Sequence, residues 1–164
     1  MFPDLFQIKQ FCRVGPEEER LLLSPARPIV LLASLASDSI VREVAGESPQ
    51  TGAFLPYSPL HQMLADDCGP LIVTSANLTE DPICFQEQEI RAFQEQSGIG
   101  VLWHSREILT PLDDSVVRAD EDGIVVIRRS RGYVPLPVEF QQPAKRKILA
   151  MGGDLKTCFA LAGG

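Results

Sequence analysis

The sequence lacks the paired cysteines that mark small zinc-binding domains. Its 164 residues include four cysteines, at positions 12, 68, 84 and 158, and no two of them form a C-x-x-C pair. Zinc ribbons and fingers use closely spaced ligand pairs, so this spacing argues against a zinc site within the chain. We interpret the four residues as reduced thiols of a cytoplasmic protein.

Long apolar runs and an excess of positive charge are also missing. The longest apolar run, at residues 29–33, is far shorter than the ~18 residues of a membrane span, and residues 1–4 do not resemble a secretory signal. The formal charge is −7, from 22 acidic and 15 basic residues. Nucleic-acid affinity comes largely from phosphate neutralisation, so neither a membrane nor a nucleic acid is the expected partner.

Several nucleotide-binding and catalytic motifs are absent as well. The chain has no Walker A sequence, no G-x-G-x-x-G and no G-x-S-x-G. Its two histidines, His61 and His104, are far apart in the sequence and have no nearby metal-ligand motif. The two histidines therefore do not predict a zinc site.

What is present predicts a globular α/β domain, because apolar residues make up 45% of the chain. Helical patterns and strand patterns interleave without the regular period of a doubly wound fold, which favours a twisted mixed sheet with flanking helices. Helices are predicted at residues 4–13, 16–24, 59–65 and 85–95, and strands at 27–34, 71–74, 100–103, 115–118 and 124–129.

The pattern breaks near "VPLPVEFQQPAKRK", where prolines and basic residues are typical of a linker. Beyond it, "ILAMGGDLKTCFALAGG" predicts a strand, a glycine turn and a second strand. These residues are either an edge hairpin or the start of another domain. We therefore predict a domain at 1–140, a linker at 141–147 and a further segment at 148–164.

Two polar clusters are candidate binding sites. The first follows the predicted strand at 71–74 and contains Thr74, Ser75 and Asn77, which suit the oxygens of a phosphate, carbamoyl or carboxylate group. The second joins "LDDS" to Arg128-Arg129-Ser130-Arg131, whose guanidinium groups could clamp a phosphate. Each cluster has a structural alternative: a capped turn for the first, and a solvated strand end paired with acids for the second.

The order of these motifs along the chain resembles the HypF carbamoyltransferase family. The resemblance rests on "FLPYSPLHQMLAD", "LIVTSANLTEDPI", "LDDSVVR", "IRRSRGYVPLP" and "ILAMGGDLKTCFALA". It implies that the first 140 residues are the later part of a YrdC-like domain. The residues from about 147 onwards would open an actin- or sugar-kinase-like carbamoyltransferase domain.

The resemblance also implies a reaction. The family makes carbamoyl-adenylate from carbamoyl phosphate and ATP, and passes the carbamoyl group to the C-terminal cysteine of HypE during cyanide-ligand synthesis for [NiFe]-hydrogenases. ATP would be a substrate, accompanied by Mg²⁺. Asp113 and Asp114 could help to hold that ion, or could serve only as hydrogen-bonding groups.

Matching positions assign roles to seven residues. Ser75 would contact the carbamoyl end, and Asn77 the nucleotide, with Thr74 completing this cluster. Ser115 would lie near the acyl group and Arg129 at the nucleotide phosphate. Tyr57 and Ser58 would close over the small NH₂ group.

The resemblance further implies a YrdC-like domain truncated at both ends. The family's Lys-x-Arg phosphate-binding motif and its zinc-binding cysteines are expected upstream of the residues present here. The isolated chain is therefore expected not to complete the reaction. Two alternatives stay open: a threonylcarbamoyl-adenylate synthase for tRNA modification, and a YrdC-like RNA-binding module that uses the local arginines.

Overall fold

The computed structural model describes residues 1–35, 46, 48–78, 81–139, 144–152 and 159–163. The chain divides into two compact units. The first contains Met1–Ile72 and Asp114–Gly164, and the second contains Val73–Asp113. Each unit is described separately below.

Two short helices open the first unit, as predicted. Helix α1 spans Leu5–Phe11, and the Asp4 carboxylate caps it by accepting a hydrogen bond from the backbone N–H of Gln7 at 2.7 Å. Helix α2 spans Pro16–Leu23 and begins with a proline followed by three glutamates. These residues suit a helix start. Proline lacks the backbone N–H that would be unpaired in the first turn, and acidic side chains interact favourably with the positive end of the helix dipole.

Four strands form the mixed sheet of this unit: β1 (Ile29–Ala33), β2 (Gln50–Ala53), β3 (Val116–Asp120) and β4 (Gly123–Arg128). Their order is β2-β1-β3-β4, with β1 and β3 parallel and the other two pairs antiparallel. The predicted α/β fold with a mixed sheet is thereby confirmed. An acidic turn, Glu121-Asp122, joins β3 to β4.

The hydrophobic core lies between this sheet and the first two helices. Alternate residues of β1 are buried, as expected for a strand with one face on the core. The fully buried members include Ile8, Leu22, Val30, Leu32 and Val117. Strand β4 is different, because its aliphatic residues Ile124, Val125, Val126 and Ile127 are all 39–53% exposed.

Helix α3 spans Pro59–Cys68 and starts at Ser58, whose hydroxyl accepts a hydrogen bond from the backbone N–H of His61 at 3.2 Å. In the second unit, helix α4 spans Glu87–Ser97 and has no buried residue. In the first unit, strands β5 (Ile148–Met151) and β6 (Phe159–Ala162) form an antiparallel pair separate from the four-stranded sheet. A hairpin over 148–164 was one of the two predicted alternatives.

Two predicted strands are wrong. Residues 71–74 are not part of either sheet, and Ile72 and Val73 are 75% and 48% exposed. Residues 100–103 are likewise not a strand, and Leu102 is 73% exposed. Both segments carry the apolar residues typical of strands, but neither has a strand partner in the described part of the chain, and a strand needs such a partner.

Some predictions fall on residues that are not described. These are residues 141–143 of the predicted linker, and Gly153 and Asp154 of the predicted glycine turn. Within the described ranges, no helix is both long enough and apolar enough to span a bilayer.

Candidate functional site

Arg131 is the centre of a cluster that joins four separate segments of the first unit. Its Nε donates to Asp114 Oδ1 at 2.8 Å, Nη1 to the carbonyl of Ala26 at 3.1 Å, and Nη2 to the carbonyl of Arg27 at 2.8 Å. The guanidinium carbon lies 3.5 Å from the ring centroid of Tyr57. We call Tyr57, His61, Asp114 and Arg131 the Arg131 cluster.

The backbone of the sheet explains why these segments meet. The parallel pairing of β1 and β3 places Ala26 and Arg27, which precede β1, beside Asp114, which precedes β3. The antiparallel hairpin of β3 and β4 then returns the chain to the same end of the sheet, where Asp114 and Arg131 form a further bridge.

Ser115 directly follows Asp114 of this cluster and is completely buried. Its hydroxyl donates to the carbonyl of Arg131 at 2.9 Å and accepts from the N–H of Ser130 at 2.8 Å. One lone pair is left on the oxygen, because a hydroxyl has one hydrogen and two acceptor sites. The observed contacts give Ser115 a structural role, and its predicted role near the acyl group stays a prediction.

Tyr57 is partly exposed and packs against His61, with the two rings edge to face and their centroids 4.5 Å apart. Burial raises the pKa of Tyr57, with Asp114 acting in the same direction and Arg131 against it. Burial likewise lowers the pKa of His61, so the neutral imidazole is favoured. His61 Nδ1 is buried and has no hydrogen-bond partner among the described residues.

Arg129 donates to a different part of the chain from Arg131. Its Nη2 donates to the carbonyl of Leu136 at 2.6 Å, which holds the chain segment that follows β4. Ser58 serves as the cap of α3, as described above. The predicted phosphate contact of Arg129 and the predicted acyl contact of Ser58 stay predictions.

The second unit contains the other three predicted residues. Thr74 is exposed, and Ser75 and Asn77 are half-buried. The Ser75 hydroxyl donates to Asn77 Oδ1, while Asn77 Nδ2 donates to the carbonyls of Leu78 at 2.9 Å and Asp81 at 3.1 Å. These bonds match the capped-turn alternative, and they leave the assigned ligand contacts as predictions.

No group of three or more metal-binding side chains occurs among the residues that the structure describes. Asp114 is paired with Arg131, with side chains that are 22% and 18% exposed. Their partial burial makes this pair more consequential than the exposed ion pairs, since removing one partner leaves a desolvated charge behind.

Sequence reasoning included Arg131 in the arginine cluster that could clamp a phosphate, but it gave the nucleotide role to Arg129 and gave no role to His61. A signal for Arg131 was present, because "SRG" places it directly before a glycine at the end of a strand. His61 lies four residues after Tyr57, but only the structure brings the two rings together. Tyr57 directly precedes the N-cap of α3, and a hydrophobic staple would pair it with the fourth helical residue, Gln62, whereas the observed partner is the third, His61.

The mixed sheet with its flanking helices makes this an α/β protein. Comparison with known proteins shows which family of α/β proteins it belongs to. The model of the Sua5/YciO/YrdC family, described as "Telomere recombination", matches residues 1–130. The chain belongs to this family.

Within that family, the chain is similar to HypF proteins over almost its whole length. It is 36% identical to carbamoyltransferase HypF of Synechocystis sp. over 163 residues, which cover 99% of this chain and 21% of the relative. It is 38% identical to HypF of Rhodobacter capsulatus, covering 90% of this chain and 20% of the relative. The resemblance predicted from the sequence is therefore confirmed.

Two solved structures of HypF proteins are also similar to this chain. A structure of full-length HypF in the phosphate- and nucleotide-bound form has a TM-score of 0.84 at 37% identity, covering 98% of this chain and 21% of the other. HypF of T. kodakarensis has a TM-score of 0.81 at 36% identity, with the same coverage. The chain thus spans about a fifth of the length of the relatives it matches.

Proposed function

We propose that this chain supplies the carbamoyl-adenylate pocket of a HypF-type carbamoyltransferase. The observation that carries the proposal is the match to HypF sequences and structures across 98–99% of the chain. One of those structures holds phosphate and nucleotide, which are the two kinds of group that an adenylate pocket must accommodate.

The proposed reaction consumes carbamoyl phosphate, ATP and water and gives carbamoyl-adenylate, phosphate and pyrophosphate. The carbamoyl group then passes to the thiol of the C-terminal cysteine of HypE, and AMP leaves as its bond to the carbamoyl carbon breaks. Because the matched region is about a fifth of each relative, we expect this chain by itself to bind the adenylate without completing the transfer. Both substrates are metabolites of the cytoplasm, where we place the protein.

The proposed roles of the residues are those that the resemblance to HypF implies. Ser75 and Asn77 offer hydroxyl and amide groups to the acyl and nucleotide ends, with Thr74 beside them. Ser115 and Arg129 serve the acyl group and the phosphate, while Tyr57 and Ser58 close over the NH₂ group. We assign Mg²⁺ to the ATP complex, because the described residues offer no cage of carboxylates and this ion is commonly held through substrate phosphates.

Two other functions are less well supported. A threonylcarbamoyl-adenylate synthase would use the same fold, but relatives at 32–38% identity across the chain are HypF proteins. RNA binding is opposed by the charge of −7. Salt-sensitive RNA binding in the absence of adenylate binding would favour the RNA alternative.

The direct test is calorimetry with ATP and with a non-hydrolysable carbamoyl-adenylate analogue. We expect saturable binding of the analogue, weakened at least tenfold by Asn77→Ala and by Arg129→Ala. Arg118→Ala is the matched control, because it removes an exposed arginine whose Nε donates to Asp120 at 2.8 Å outside the proposed pocket. Absence of analogue binding to the wild-type chain would overturn the proposal.

A further inference from the structure

Arg131 is held by several directed hydrogen bonds, unlike an arginine that only covers the surface. Its side chain is only 18% exposed, and its three nitrogens donate to one carboxylate and two backbone carbonyls. One of those carbonyls belongs to Arg27, whose φ of +43° is unusual for a residue other than glycine. The guanidinium is therefore held in place on several sides by groups that cannot easily move.

The fixed guanidinium in turn covers the ring of Tyr57. A distance of 3.5 Å from the guanidinium carbon to the ring centroid is a close cation–π contact. Tyr57 lies in the loop between β2 and α3 and has no other cation over its ring among the described contacts. His61 contacts the same ring edge to face, so the ring is held between two groups.

We propose that Arg131 is a positioning residue that holds the Tyr57 ring at the acyl end of the adenylate pocket. The inference rests on the proposed function for the identity of the ligand. Arg131 itself need not touch that ligand, since three of its five N–H groups already donate to Asp114, Ala26 and Arg27. It acts by keeping the Tyr57 loop in one conformation before the ligand arrives, which reduces the ordering cost of binding.

The geometry also explains why arginine is required. A lysine would keep the positive charge, but its compact ammonium cannot lie flat on the ring while donating to three separate acceptors. We therefore expect Arg131→Lys to retain part of the affinity for the carbamoyl-adenylate analogue and Arg131→Met to lose at least tenfold. Arg118→Met is the matched control and should bind as the wild type does.

A second measurement follows the Tyr57 ring directly. The chain has two tyrosines, so a Tyr133→Phe background leaves Tyr57 as the only phenol that absorbs as tyrosinate when the pH is raised. If Arg131 holds the ring, Arg131→Met releases it into water, and the raised pKa of Tyr57 falls towards its ordinary value. If the ring stays buried without Arg131, loss of the positive charge raises the pKa of Tyr57 further.

These two measurements separate the inference from the proposed function. A wild-type chain that fails to bind the analogue contradicts the function, while the tyrosinate titration still tests whether Arg131 holds Tyr57. Analogue binding that is unchanged in Arg131→Met overturns the positioning role and leaves the function standing. An unchanged or raised pKa of Tyr57 in Arg131→Met also overturns it.

Discussion

Gly132 lies so close to Ala26 that a Cβ atom on the glycine would be 2.7 Å from both the Cα and the Cβ of Ala26. The glycine also has a φ of +84°, a conformation that other residues adopt at a cost. This approach brings the segment after β4 against the turn that precedes β1. The Arg131 side chain donates hydrogen bonds to the same turn, so backbone packing and side-chain contacts hold these two segments together.

Replacement of Gly132 by alanine should therefore destabilise the first unit strongly. We expect a loss of about 3 kcal/mol, since the penalty for a positive φ adds to a clash with backbone that cannot rotate away. The measurement is urea unfolding followed by circular dichroism. Gly98→Ala is the control, because Gly98 has a left-handed backbone with a φ of +70° but open space around it, and should lose only about 1 kcal/mol. Equal losses in the two variants would show that the close approach is unimportant.

The two leucines at the end of α2 provide a test of the core. Leu22 is fully buried, whereas its neighbour Leu23 is 50% exposed. We expect Leu22→Ala to reduce the free energy of unfolding by about 2–5 kcal/mol, because it removes buried apolar surface and leaves a cavity. Leu23→Ala has the same change in composition and helix propensity, and should cost less than about 1 kcal/mol. A reversed order would mean that α2 packs through its other face.

The buried hydroxyl of Ser115 should have a measurable structural value. Ser115→Ala leaves the N–H of Ser130 and the carbonyl of Arg131 without their partner, at a cost of about 1–3 kcal/mol. Ser48→Ala removes an exposed hydroxyl that also has two backbone contacts, to the N–H and the carbonyl of Gln50, and should cost much less. Chemical denaturation would compare them. An unchanged stability in Ser115→Ala would mean that water replaces the hydroxyl.

The same Ser115→Ala protein tests the predicted role of this residue near the acyl group. If the hydroxyl serves only the fold, the variant should bind the carbamoyl-adenylate analogue as well as the wild-type chain does, measured well below its unfolding temperature. A tenfold or larger loss of affinity with a folded spectrum would instead show that the remaining lone pair contacts the ligand.

The elements with strong local signals were predictable from the sequence. Helix α2 has proline at its start and three acids in its first turn, and the β3–β4 hairpin has an acidic turn that ends in glycine. Strand β1 is a continuous apolar run. In each case, local propensity and burial favour the same structure, so the pattern is unambiguous.

The errors occurred where only composition pointed to a strand. Residues 71–74 and 100–103 are aliphatic, but a strand is defined by its partner, and partner choice is not encoded in a short window. The Arg131 cluster could not be predicted from the sequence for a related reason. The hydrogen bonds of Arg131 join residues that are 17 to 105 positions apart, and only the sheet topology brings them together.

Cys12, which directly follows α1, and Cys68, the last residue of α3, should differ sharply in reactivity. Cys12 is 2% exposed, and burial, with a smaller contribution from Glu18, raises its pKa to about 11. Cys68 is exposed. The thiolate is the reactive form, and a raised pKa keeps it scarce until the pH approaches 11, so Cys12 should resist alkylation at pH 8 in the folded protein.

Iodoacetamide labelling followed by peptide mass spectrometry would measure each site separately. We expect Cys68 to be modified at least a hundredfold faster than Cys12 at pH 8, because poor access and a low thiolate fraction act together on Cys12. In urea, the two rates should become similar, since unfolding removes both effects. Rapid modification of Cys12 without denaturant would mean that α1 opens readily, and would contradict a core in which Cys12 packs with Ile8 and Leu32.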